Sequence, residues 1–368
     1  MLVTEILKER EEYREEIRKM QEMKLPVILF GAGKTSRYNL QFFYELGIKP
    51  VAFCDNNPKK QGSKVADIPV LSLEQVMQQY PKAYFYITTQ MFYKEIYQQL
   101  MNAGCEKEQV SEYDVIFQLQ WEEKSIEYYR QHEEQMEWLY DNLADDESRR
   151  VLRNRLLFLR TRNRKYMLEI RKHHQYFEKE LIDFSKIDCY VDLGMYTGDT
   201  ITDFLKMSDN HYKHIYGFEP DAEIFQTAKS NLKFYRNTVL VPLATSDYDG
   251  TATVEQSLGV MQTIADGIFT ATAEENNVFQ VCRLDTYFKG KTEKIDMIKM
   301  DIEGAEYATL SGAKIRITAD RPILAVCVYH KQEDILTIPQ LCKELVPEYQ
   351  IYLRHYSDNQ TETVCYMM

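Results

Sequence analysis

Cys189-Tyr-Val-Asp-Leu-Gly-Met-Tyr-Thr-Gly-Asp-Thr200 decides the fold. An apolar run stops at an acid, bends at Gly194 and Gly198, and enters a helical pattern through Asp199 and Thr200. That is the strand, turn and helix of an α/β unit, with Asp192 at the carboxyl end of a buried strand. The spacing Asp192-x-Gly194-x-x-x-Gly198 differs from the glycine pattern that cradles a pyrophosphate. A competing structural reading makes the glycines a plain turn and an Asp the cap of the next helix.

The chain downstream repeats the unit. His214-Ile-Tyr-Gly-Phe-Glu219 is a second strand ending in an acid, and Val239 to Leu243 is followed by Thr245-Ser-Asp247. Ile295 to Asp301 is a fourth strand, turning sharply at Glu303-Gly304. Arg321 to His330 is a fifth, delivering Tyr329, His330 and Lys331 to the same edge. Tyr349 to His355, the polar turn Ser357 to Gln360, and Thr361 to Met367 read as a closing hairpin. Ligands gather at the carboxyl ends of parallel strands. Acids arrayed there suit S-adenosylmethionine, which carries an ammonium, a carboxylate and a sulfonium but no phosphate. The expected contacts are Asp192, Gly194, Gly198 and Thr200 at its amino-acid end, Glu219 at the ribose hydroxyls and Asp247 at the adenine amino group.

Upstream, Val27 to Phe30 is a strand before Gly31-Ala-Gly33-Lys-Thr-Ser36, and Pro50 to Asp55 is a second strand with an acidic end. Gly31, Gly33 and Asp55 have the context of a nucleotide site, although Ser36 stands where the third glycine of the fingerprint belongs. No glycine falls between Gly104 and Gly194 and no proline between Pro81 and Pro220, so a helical connector is expected there. Glu122 to Glu147 holds ten acidic and two basic residues, and Arg149 to Lys172 ten basic and one acidic. Two helices facing each other by opposite charge is the simpler reading; Arg160, Arg162 and Arg164 receiving an anionic acceptor is the sharper one. The expected organisation is an N-terminal helix (1–24), a Rossmann-like α/β domain (25–115), the connector (116–185) and a larger α/β domain (186–368).

Composition narrows the function classes. The 368 residues include 45 Lys and Arg against 57 Asp and Glu, a net charge of −12, which opposes a general grip on nucleic acid. No apolar run has the length of a membrane span, and the opening residues lack a signal-peptide pattern. Seven scattered cysteines, never spaced as CxxC, fit reduced thiols and a cytoplasmic location.

Val191 to Thr200, Gly217-Phe-Glu-Pro-Asp221, Lys299-Met-Asp-Ile-Glu-Gly-Ala-Glu306 and Tyr329-His-Lys331 together resemble the signature segments of FkbM-type methyltransferases. The resemblance covers about residues 176 to 368, with Met195 where the family more often has Ala. It implies a class I methyltransferase seven-stranded sheet, S-adenosylmethionine as cofactor, and transfer to a hydroxyl of a sugar, glycan or secondary metabolite. It also implies a Rossmann-like N-terminal domain, with a nucleotide-sugar or a second copy of the chain among its expected partners. An alcohol acceptor calls for a base, and Asp301, Glu303 and His330 are the candidates. A metal-free site is expected, because strand five ends in Tyr-His-Lys instead of a second acid. The alternative is a nucleotide-sugar oxidoreductase or epimerase working from the first domain, with Tyr287 and Lys291 as its pair.

Overall fold

In the computed structural model, which describes residues 2–33, 36–89, 92–115, 126–253 and 278–368, every apolar run named above is a strand. The tip of the first glycine turn, residues 34 and 35, and the start of the connector, 116–125, lie outside the described residues.

The first sheet contains β1 (Val27–Phe30), β2 (Ala52–Cys54), β3 (Lys64–Val65), β4 (Ile68–Leu71) and β5 (Tyr84–Ile87), in the order β3-β4-β2-β1-β5. All pairs are parallel except the β3–β4 edge. β1, β2 and β5 are buried along their whole length, which is why they read as unbroken apolar runs.

The second sheet is built from β6 (Cys189–Leu193), β7 (His214–Phe218) and β8 (Thr238–Val241), then β12 (Met297–Met300), β13 (Ile323–Cys327), β14 (Ile351–His355) and β15 (Thr363–Met367). Its order is β14-β15-β13-β12-β6-β7-β8, parallel throughout except β15, which runs antiparallel to both β13 and β14. That closing hairpin is the mark of the class I methyltransferase sheet expected from the sequence. Short strands β9 (Ala244–Thr245), β10 (Gly250–Thr253) and β11 (Val278–Cys282) make a separate small sheet. From β6 the chain winds outward to β8 and then returns to β12 on the other side of β6. A crevice opens at such a reversal, between the carboxyl ends of β6 and β12.

The connector's opposite charges meet at its joint, where Arg149 pairs with Asp146 at 2.9 Å and Lys172 with Glu147 at 3.4 Å. Helix Asp146–Thr161 starts at Asp145, whose side chain caps the Ser148 N–H. Arg160 pairs with Glu11 at 2.5 Å, Arg164 with Asp114 at 3.3 Å, and Arg155 donates to the Gln360 carbonyl at 2.5 Å. Arg162 and Arg164 are only 2% exposed, so neither is offered to an anionic acceptor. Burial of so many cations is tolerable because each meets a carboxylate, a carbonyl or an aromatic face. The polar turn Ser357 to Gln360 is likewise buried. Asp358 accepts from Arg171 at 2.6 Å and from the Tyr93 N–H at 3.1 Å, tying the hairpin to the first sheet's domain.

All seven cysteines are free and buried. Among the described residues, no helix is long and apolar enough to cross a membrane.

Candidate functional site

Gly194 and Asp301 form the two lips of the crevice. Gly194 has φ 75°, and a Cβ there would stand 1.9 Å from the Asp301 carbonyl oxygen. Only glycine lets β6 and β12 end this close together. Beneath it, Lys299 is buried, 3.0 Å from Asp192 Oδ1, and donates to the Gly194 carbonyl at 2.6 Å.

Asp192 already has partners within the chain. Its carboxylate is buried, neutralised by Lys299, and takes hydrogen bonds from the Tyr190 and Thr200 hydroxyls. Asp192 and the half-buried Thr200 therefore brace the turn together. Gly198 (φ 83°) opens helix Asp199–Met207 and packs against Leu232. The Gly194 and Met195 N–H groups both donate to the Phe218 carbonyl, at 3.1 and 3.0 Å, so neither is offered to a ligand carboxylate.

Above the crevice is a cavity of about 550 Å³, walled among others by Gly194, Glu219, Ser246, Asp301, Glu303 and Lys331. Glu219 ends β7 and is almost buried; its Oε1 accepts the Asp221 N–H at 3.0 Å. Burial pushes its carboxyl above the usual range, against the pull of the Asp221 and Tyr196 N–H groups. Asp247 is exposed and outside the wall; the chain turns at Thr245, whose hydroxyl meets that of Thr309 at 3.0 Å, and the wall takes Thr245 and Ser246 instead.

Asp301 and Glu303 also line the cavity, while His330 lies behind them. Asp301 Oδ2 accepts the Tyr176 hydroxyl at 2.6 Å. Burial would raise the Asp301 pKa, but Lys299, His330 and the Tyr176 hydroxyl hold it below the ordinary value. Glu303 adopts φ 57°, a left-handed conformation unusual for a residue with a side chain, and leaves its carboxylate more than half exposed. His330 is 5% exposed; its Nδ1 is 2.8 Å from Glu306 Oε1, and its Nε2 faces Asp301 Oδ1 at 3.4 Å and Glu303 Oε2 at 3.3 Å. Burial opposes protonation, yet Glu306, Asp301 and Glu303 raise the imidazole pKa to about 10. Sequence reading missed Lys299, Glu306 and Tyr176. The first two had a signal, being charges on and just after an apolar strand; Tyr176 arrives from the connector and had none.

In the first domain, the acid expected at ribose hydroxyls is already engaged. Asp55 accepts the N–H groups of Ala32 and Asn57, both at 2.8 Å, and pairs with Lys60 at 3.1 Å. Asp55 thus closes its own glycine turn, and Gly31 is required because a Cβ would stand 2.6 Å from Thr88 Oγ1. Gly33 has open space around it. Tyr287 and Lys291 pack beside Tyr216 of the second sheet, so the oxidoreductase pair has no place at the first glycine turn.

Comparison with known proteins agrees with this geometry. Residues 192–349 match the family described as the methyltransferase FkbM domain, and residues 23–111 match the family described as C2185-like, N-terminal. No curated protein matches. Among solved structures, the chain is similar to methyltransferase FkbM from Methylobacillus flagellatus KT, with 18% identity and a TM-score of 0.72. That likeness covers 100% of this chain and 96% of the other, so the fold is shared from end to end. Aeropyrum pernix fibrillarin in complex with natively bound S-adenosyl-L-methionine is 10% identical over 51% of this chain and 69% of its own, at a TM-score of 0.34. An rRNA methylase from Streptococcus thermophilus is 16% identical over 51% and 88%, at 0.31.

Proposed function

Because residues 192–349 match the methyltransferase FkbM domain family, we propose that the protein transfers the methyl group of S-adenosylmethionine to a hydroxyl of a sugar, glycan or secondary metabolite. The observation that carries this reading is the single cavity that joins Glu219, Gly194, Asp301 and Glu303 at the switch point.

The donor set fits the cofactor. Glu219 lines the cavity with one oxygen accepting the Asp221 N–H, and a carboxylate so held can also accept from a ribose diol. Thr245, Ser246 and Leu243 give the wall beyond it a mixed polar and apolar surface suited to a purine edge and face. The cofactor supplies a methyl group on a positively charged sulfur, open to in-line attack. The chain's part is to hold the attacking hydroxyl in line and take its proton. Asp301 lines the cavity and takes the proton, with Tyr176 fixing one of its oxygens. Glu303, on the rim, adds negative charge beside the sulfonium.

Calorimetry with S-adenosylmethionine tests the reading. Glu219→Gln is expected to weaken binding roughly 10–100-fold, the loss of one charge-assisted hydrogen bond. Asp301→Asn should lower turnover with an alcohol acceptor by about 10²–10⁴ while leaving cofactor affinity nearly unchanged. No binding heat from the wild-type protein would reject the proposal.

A further inference from the structure

Behind the cavity wall, three carboxylates converge on one imidazole. Each residue of the group Asp301, Glu306 and His330 offers a ligand atom within 4.8 Å of the others. Each also keeps one buried atom without a hydrogen bond: Asp301 Oδ1, Glu306 Oε2 and His330 Nε2. His330 itself is 95% buried, and its unpartnered nitrogen is aimed between Asp301 and Glu303. Asp301 Oδ1 and His330 Nε2 meet only at ion-pair distance, and buried polar atoms without a hydrogen bond are rare enough in a folded chain to call for an occupant.

We propose that His330 Nε2, Asp301 and Glu303 bind a divalent cation of the manganese, iron or zinc type, with Glu306 holding the imidazole in place. Glu306 on Nδ1 holds the ring with Nε2 toward the two other carboxylates, and an ion bound there would displace the Nε2 proton, the arrangement that supports a metal-bound histidine. Both separations from the imidazole match as well. Ligand atoms about 2.1 Å from one ion lie roughly 3.0–3.4 Å apart at the edges of an octahedron or tetrahedron. Nε2 stands 3.4 Å from Asp301 Oδ1 and 3.3 Å from Glu303 Oε2. One nitrogen with carboxylate oxygens favours a transition-type ion over magnesium or calcium. The buried Lys299 is already paired with Asp192. The metal-free expectation drawn from Tyr329-His-Lys331 is thereby revised, because the fold supplies an imidazole where a second strand-end acid was looked for. Lowering the pKa of an acceptor hydroxyl is the use such an ion would have in methyl transfer; that use rests on the proposed function, whereas the binding does not.

The test is a titration of the metal-stripped full chain with Mn²⁺ alone, read by electron paramagnetic resonance and by spin-echo modulation from a coupled nitrogen. One bound Mn²⁺ per chain with nitrogen coupling is expected. Glu303→Gln, a change at an exposed side chain that leaves folding intact, should weaken binding by more than about tenfold, and Glu306→Gln by about 10–100-fold. His330→Gln should remove the nitrogen coupling. Absence of stoichiometric binding, binding without nitrogen coupling, or an unchanged affinity in Glu303→Gln would each overturn the site. Nitrogen-coupled Mn²⁺ in a chain that methylates no alcohol would support the site and reject only the proposed function.

Discussion

Replacing Lys299 with methionine isolates the contact on which the crevice depends. Lys299 and Asp192 are 1% and 0% exposed in their side chains and 3.0 Å apart. Lys299→Met keeps most of the stem's volume but leaves a buried carboxylate with only the Tyr190 and Thr200 hydroxyls for partners. Breaking a buried pair on one side costs about 3–5 kcal/mol, mostly the penalty of the stranded charge. Asp192→Asn in the same chain removes that charge while keeping an acceptor for both hydroxyls, so the double variant should regain at least half of the loss. Amide hydrogen exchange of β6 and β12 reads this sheet directly. The single variant should exchange roughly 10²–10⁴ times faster, with 1.4 kcal/mol counting as a factor of ten. A loss below about 1 kcal/mol, or a double variant no better than the single, would refute the claim that Asp192 is an internally neutralised brace.

Two further outcomes follow from the same geometry. Gly194→Ala should prevent the second sheet from closing, because its Cβ meets the Asp301 carbonyl at 1.9 Å; Gly47→Ala, with φ 74° but nothing within 4 Å, should cost only about 1 kcal/mol, and equal losses by urea titration would discount the close approach. His355 is held neutral by burial and by the neighbouring Arg155 and Arg171 cations, with its pKa lowered to about 3. Below pH 6.5 only the unfolded chain takes up that proton, so stability should fall by about 1.4 kcal/mol per pH unit down to the folded-state value, and His355→Gln should flatten the curve between pH 6.5 and 5. An identical slope in the variant would remove His355 as the cause.

The strands were legible because buried parallel strands are mostly apolar over their length, as in β1, β2 and β5. The strand-end acids were legible too, since charge immediately after such a run marks a sheet edge. What each acid does was not. Asp192, Glu219 and Asp301 look equivalent in sequence, yet one is neutralised by Lys299, one is held by the Asp221 N–H, and one by Tyr176. Asp55 has the position of a ribose-binding acid and instead accepts the N–H groups of its own turn.

From the order of its residues alone, this protein's division into repeated strand, turn and helix units was determined, because local burial and turn chemistry act over a few neighbours. The fate of its charges was decided only in three dimensions. A carboxylate's partner is chosen by distance, and Lys299 lies 107 positions from Asp192, Tyr176 125 from Asp301 and Arg155 205 from Gln360, separations across which no local pattern carries information.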